Sequence, residues 1–146
     1  MILFWALAGI VFAFDQWTKH MVLSHLHAPV AVMRPFLYFM QTVNDGAAWG
    51  IFSGRRSFLL AISLCVSSYI IFFRKKLRLN LWPRGVAFGL LLGGICGNFL
   101  DRLRMGAVID FIDVRLPFYH WPTFNFADAA ICLSVIILFS IREQQM

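Results

Sequence analysis

Acidic residues are scarce in this chain. Seven Asp and Glu stand against thirteen Lys and Arg in 146 residues, a formal net charge of +6. No basic helix and no basic-aromatic interleave on a polar face accompanies that charge, so it does not read as a nucleic-acid surface. It reads as the loop bias of a membrane protein. Cysteine is equally sparse. Cys65, Cys96 and Cys132 each lie inside an apolar run, and none belongs to a CxxC or stands beside a histidine. That excludes a disulfide framework and a thiol nucleophile with an adjacent base, and leaves them as small core residues. HExxH, GxSxG and a Ser-His-Asp set are all missing. His20, His25 and His27 cluster near a turn without metal-ligand spacing, and His120 stands alone, so the histidines read as solvated loop residues.

Apolar residues are abundant. They make up 60% of the chain, with mean hydropathy +0.75, against about 45–50% in an ordinary globular domain. One membrane domain over residues 1–146 is the reading. Four apolar segments, at about 2–23, 58–73, 85–103 and 125–141, are each of a length suited to a membrane helix of roughly 20 residues. Helices are expected because the runs do not alternate as barrel strands would. The first segment has neither a basic leading region nor an A-x-A site, so it is expected to remain as a helix. The loop 74–84 carries Arg74, Lys75, Lys76, Arg78 and Arg84 with no acid, which places it and both termini in the cytoplasm. Loops 24–57 and 104–124 then face outside. The first contains "PVAVMRPFLYFMQTV", rich in strand formers, and is expected to form a small β-element. The second contains "RLPFYHWPTF", suited to a membrane interface. The tail after the fourth segment is short and is expected to add little structure.

The polar residues of these segments fall at one depth. At 1.5 Å per residue, Asp101 and Arg102 lie roughly 24–26 Å along the third segment, and Asp15 and Lys19 roughly 20–26 Å along the first, which runs the same way outward. Asn125 and Asp128 occupy the first turn of the fourth, and Asn44 and Gly46 precede the second, all at the outer face. Asp15 and Lys19 are an (i, i+4) pair with the acid first. Asn98, Asp101 and Arg102 share a helix face, as do Asn125 and Asp128. Structural explanations stand beside functional ones: an interfacial ion pair for Asp15 and Lys19, a helix-end salt bridge for Asp101 and Arg102, an N-cap for Asn125. Asp128 lies past the cap in an apolar run and needs a partner. Asp110, framed by "AVIDFI", is the best candidate. Two carboxylates in a semi-dry site share a proton, and one can act as base while the other acts as acid, the chemistry of an aspartic peptidase. Spacing leaves Asp113 and Asp45 as competing carboxylates. It also leaves three rival classes: a small proton-coupled membrane transporter, which would place charge at the midplane in repeated halves, a Mg²⁺-dependent phosphotransferase with a denser acid cluster, and a non-catalytic scaffold.

Five stretches in order resemble the bacterial lipoprotein signal peptidase (signal peptidase II) family. "DQWTK" (Asp15 to Lys19) is similar to D-x-x-T-K, and "NDGAAWG" (Asn44 to Gly50) to N-x-G-A-A-F. "GGICGNFLDR" (Gly93 to Arg102) resembles G-G-x-x-G-N-x-x-D-R, "GAVIDFI" (Gly106 to Ile112) G-x-V-x-D-F, and "FNFAD" (Phe124 to Asp128) F-N-x-A-D. The resemblance implies an all-α integral membrane protein of four transmembrane helices, with a small extracytoplasmic β-element and a short extracytoplasmic helix before the fourth. It implies an aspartyl endopeptidase that removes signal peptides from diacylglyceryl-modified prolipoproteins, with Asp110 and Asp128 catalytic. Asn44, Gly46, Asn98, Asp101, Arg102 and Asn125 match positions that line the site or bind substrate. Asp15 and Lys19 match positions of structural support. No metal or other cofactor is implied; membrane lipid and globomycin-type peptide inhibitors are the expected partners besides substrate, the chain is expected to be a monomer, and the bacterial inner membrane is its expected place. Trp49 stands where Phe is usual, and Asp45 adds a carboxylate beside Asn44.

Overall fold

Four helices and a four-stranded antiparallel sheet make up the computed structural model, which describes residues 1–143. In chain order these are α1 (Ile2–His25), β1 (Val30–Met33), β2 (Leu37–Asn44), a 3-10 turn (Ala48–Gly50), α2 (Arg56–Phe72), α3 (Trp82–Met105), β3 (Val108–Leu116), β4 (Tyr119–His120) and α4 (Phe126–Glu143). The last residues of the short tail, 144–146, lie outside the described residues. All four expected helices form, with ends moved by a few residues.

α3 is the central element and packs on α1, α4 and α2. Its start is set by Pro83 in the first turn, where a missing N–H leaves no helical bond unmade. Its end is Gly106, whose φ of 83° is the left-handed cap that glycine adopts without a Cβ penalty. The approach of its neighbours depends on glycine too. A methyl group at Gly93 would stand 2.7 Å from the Ala8 carbonyl oxygen of α1, and one at Gly94 2.5 Å from the Ala127 carbonyl oxygen of α4. Small residues let helix backbones meet closely, a packing mode that serves in lipid where apolar burial gives little drive. The apolar core of Phe4, Ala8, Ile70, Leu79 and Leu92 fills the end of the bundle where α1 begins. The buried charged residues of the helices, Asp15, Lys19, Asp101 and Arg102, collect at the other end.

α3 is the one helix among the described residues long and apolar enough to cross a membrane by composition; α2 and Phe126–Ile141 of α4 are shorter apolar helices. α1 is as long as α3, but Asp15, Gln16 and Lys19 interrupt its apolar run. Leu64, Phe72, Ile136 and Phe139 are among the large apolar side chains left exposed on the helices.

The sheet corrects the all-α expectation. β1 and β2 form in the 24–57 loop as anticipated, but β2 pairs with β3 from the 104–124 loop, in the register Thr42↔Asp110, Val43↔Ile109, Asn44↔Val108. No short helix precedes α4. Val108–Leu116 is rich in β-branched and aromatic residues, which favour a strand, and its backbone is bonded both to β2 and to Phe124, whose carbonyl accepts from the Phe111 and Ile112 amides. Among the described residues the one short helical turn is Ala48–Gly50, ahead of α2. His20 and His25 belong to α1 and not to a loop, and Cys65 and Cys132 are exposed and not core residues.

Gly94→Ala is expected to force α3 and α4 apart and to cost about 1–3 kcal/mol, the usual scale of overpacking. Thermal unfolding in detergent should show a lower Tm, and an unchanged Tm would contradict this packing.

Candidate active site

The site is built around Asn125, the residue just before α4. Its side-chain Oδ1 accepts the Asp128 backbone N–H at 2.9 Å, while its own backbone N–H donates to Asp128 Oδ2 at 3.2 Å. This is a reciprocal capping box, and it fixes the Asp128 carboxylate at the helix N-terminus. The Asn125 Nδ2 then donates to Asp110 Oδ1 on β3 at 2.7 Å. One residue therefore touches both carboxylates. The remaining oxygens are held in turn: Asn98 Nδ2 donates to Asp128 Oδ1 at 2.7 Å, and Asn44 Nδ2 to Asp110 Oδ2 at 2.9 Å. Asn44 is itself oriented by the Gly46 N–H, 3.0 Å from its Oδ1. Each of the four carboxylate oxygens thus accepts one N–H donor.

Asp110 is buried, and its pKa is pushed up to about 6. Burial is the chief cause and the neighbouring Asp128 charge adds to it; the Asn44 and Asn125 donors oppose it. A carboxyl raised in this way keeps its proton through the window from about pH 4 to 6, where an ordinary carboxylate is already ionised.

Behind the pair lies a buried ionic layer. Lys19 Nζ bridges Asp15 Oδ2 at 2.8 Å and Asp101 Oδ2 at 2.7 Å, and donates to Asn98 Oδ1 at 3.0 Å. Asp15 also accepts the Ala127 N–H of α4 at 3.0 Å. Its other oxygen stands where a Gly97 methyl group would come within 2.5 Å. Asp101 and Arg102 form no salt bridge with each other, because adjacent helical residues do not face one another. Asp101 instead joins Lys19, and Arg102 Nη2 donates to the Gly46 carbonyl at 2.7 Å. Gln16, which sequence reasoning passed over, donates to Asp101 Oδ1 at 2.9 Å and to the Gly97 carbonyl at 3.3 Å. Its signal was faint, since one residue from Asp15 is not a helical face.

The two competing carboxylates are engaged elsewhere. Asp45 accepts from Ser53 Oγ at 2.6 Å and Gly54 N–H at 3.2 Å, closing the 45–54 loop. Asp113 is buried and bonds to His120 and to Arg115, whose guanidinium also lies 4.1 Å from the Tyr38 ring centre. Burial opposes ionisation of Asp113, but the His120 and Arg115 contacts outweigh it and hold the carboxyl below its ordinary value. Trp49 adopts a left-handed φ of 57° and donates from Nε1 to the Tyr119 hydroxyl at 3.2 Å, tying that loop to β4.

Asp110 and Asp128 both line a cavity of about 1100 Å³, together with Asn44, Asn98 and Arg102. The cavity continues along an apolar cleft walled by Leu59 and Ile62 of α2, Ile95 of α3, and Ile131 and Cys132 of α4. No sequence motif marked these apolar residues. Among the described residues, no three His, Cys, Asp or Glu side chains group as a metal site.

A family model described as signal peptidase (SPase) II matches residues 7–142. The chain belongs to the signal peptidase II family. It is 37% identical over 139 residues to the lipoprotein signal peptidase of Bacillus velezensis, covering 94% of this chain and 91% of that one. To the lipoprotein signal peptidase of Syntrophus aciditrophicus it is 39% identical over 145 residues, covering 94% and 90%. A solved bacterial membrane enzyme aligns with a TM-score of 0.88 at 34% identity, covering 95% of this chain and 86% of its own. Signal peptidase II is an aspartic peptidase, and the family places this chain among membrane enzymes.

The raised Asp110 pKa has a stability consequence with a definite sign. Between about pH 4 and 6 the folded peptidase holds a proton that the unfolded chain releases, so stability falls as pH rises through that window. Asp110→Asn should remove this part of the slope. Tm measured against pH in detergent checks it: the wild-type curve should fall more steeply from pH 4 to 7 than the variant curve, whatever the constant offset between them.

Proposed function

We propose that the chain is a membrane aspartyl endopeptidase that removes signal peptides from diacylglyceryl-modified prolipoproteins, cutting before the lipidated cysteine. The observation that carries this is the Asp110–Asp128 pair, bridged by Asn125 and opening into a cavity that turns from polar to apolar. In this reading the pair holds a water molecule. One carboxylate takes its proton as the oxygen attacks the scissile carbonyl, and the other gives its proton toward the leaving amine, whose C–N bond then breaks. The two titrate as a unit, so the acid and base roles belong to the pair. Asn44, Asn98 and Asn125 keep the carboxylates in place, and Arg102, with Gly46 beneath it, offers a cation to the substrate peptide backbone. Lipid on the substrate cysteine lies in the apolar cleft between α2 and α4.

The four helices cross the bacterial inner membrane with both termini and the basic 74–84 loop in the cytoplasm. The carboxylate pair and the sheet then lie at the outer leaflet, where a peptide anchored by its lipid presents the bond to be cut. A monomer suffices, since every proposed site residue comes from one chain, and the cavity is the place for a globomycin-type peptide inhibitor. No observation favours the proton-coupled transporter, because the buried ionisable residues of the helices crowd one end of the bundle.

Asp110→Asn and Asp128→Asn should each lower cleavage of a lipidated lipobox substrate by about 10²–10⁴-fold or more, the scale of acid–base catalysis, without loss of helical circular dichroism. The unlipidated substrate should be cut poorly by wild type, and EDTA should leave cleavage intact. Near-normal turnover by either variant overturns the assignment.

A further inference from the structure

Lys19 is 2% exposed and does not line the cavity. Its ammonium nevertheless reaches the carboxylate pair through one side chain. An ammonium has three donors and no acceptor. Those donors go to Asp15 Oδ2 at 2.8 Å, Asp101 Oδ2 at 2.7 Å and Asn98 Oδ1 at 3.0 Å. The two carboxylates already compensate the charge, so the third contact is free to do something else. It settles which way the Asn98 amide faces. Turned by half a rotation, that amide would set its NH₂ against the ammonium and its oxygen against Asp128.

In the observed orientation Asn98 Nδ2 donates to Asp128 Oδ1 at 2.7 Å. The same Asn98 oxygen that meets Lys19 also accepts from Asn125 Nδ2 at 3.2 Å, and that nitrogen donates to Asp110 Oδ1 at 2.7 Å. One amide orientation, set from behind, therefore directs donors to both carboxylates. We propose that Lys19 is a positioning residue for catalysis, acting through Asn98 to aim the amide donors that hold Asp128 and Asp110 on the attacking water. This rests on the reading of Asp110 and Asp128 as the catalytic pair. It separates Lys19 from a residue that merely holds α1 to α3, because a loosened bundle would disturb substrate binding as well as turnover.

The test compares Lys19→Met, Asn98→Ala and the double variant on a lipidated lipobox peptide in detergent. Lys19→Met should lower kcat by about 100-fold, the cost of small misplacement in an active site, with KM within about twofold. The double variant should be no worse than the poorer single one, since both changes break one relay. Losses that multiply, or that fall on KM, overturn the proposal. Lys19→Met also strips two buried carboxylates of their cation. Should it not fold, Asn98→Asp carries the test: it keeps an acceptor for Lys19 but removes the donor to Asp128, and should fall as far as Asn98→Ala. An Asn98→Asp chain as active as wild type overturns the relay. Asp110→Asn and Asp128→Asn in the same assay separate the two claims. If they turn over normally, the proposed function fails as well; if they are inactive while the Lys19 and Asn98 losses multiply, only the positioning role fails.

Discussion

The bond from Asn125 to Asp110 is the constraint on which the site depends. Asn125 caps α4 and so belongs to the helical bundle, whereas Asp110 belongs to β3 and so to the sheet. Helix and sheet are separate units, and a shift of either would separate the two carboxylates. The capping box removes that freedom on the helix side, because it occupies both the Asn125 backbone N–H and its side-chain oxygen. On the strand side, the Thr42↔Asp110 pairing and the Asn44 donor do the same. Secondary-structure termini are stiff, and a site made from them holds its geometry better than one made from loop tips.

Burying Lys19, Asp15 and Asp101 together is costly, since desolvation of an ion pair can exceed its Coulomb gain. The layer survives because its polar atoms are so fully bonded. Asp15 joins α1 to the start of α4 through the Ala127 amide, Asp101 reaches the Ile109 amide at 3.4 Å, and Gln16 adds two further donors. Removing Lys19 would leave two buried carboxylates without their cation. The glycines of α3 make this layer reachable. Without a side chain at Gly97, Asp15 can lie directly on the α3 backbone, and the short distances from Lys19 to Asn98 and Asp101 follow.

The helices were legible in the sequence because apolar runs of membrane length carry a strong signal, and the polar layer because helix rise converts residue number into depth. Asp128 with Asn125, and Asn98 with Asp101 and Arg102, were legible as shared helix faces. The choice of Asp110 over Asp113 and Asp45 was not a matter of spacing. It came from motif resemblance, and the structure adds a physical reason: Asp113 is held by Arg115 and His120 outside the cavity, and Asp45, although at the cavity wall, is taken up by Ser53 Oγ and the Gly54 N–H. The β2–β3 pairing was hidden because strand partners far apart in sequence leave no local pattern. The short helix expected before α4 came from the resemblance alone, and β3 and β4 occupy that stretch instead. The apolar cleft was hidden for a related reason: Leu59 and Ile131 look like any other lipid-facing residues until α2 and α4 are seen to leave α3 uncovered between them.

The raised Asp110 pKa shows what the arrangement gives up. A carboxyl that resists ionisation makes the folded state less stable near neutrality than an amide or apolar residue would, and the same resistance lets one proton reside on the pair. Stability must then come from elsewhere: the glycine-mediated contacts of α3 and the apolar core around Phe4 and Leu92. These contacts lie away from the cavity or face away from it. The groups that keep the chain folded are thus separate from the carboxyl whose ionisation is costly, a division that local differences in stability make workable.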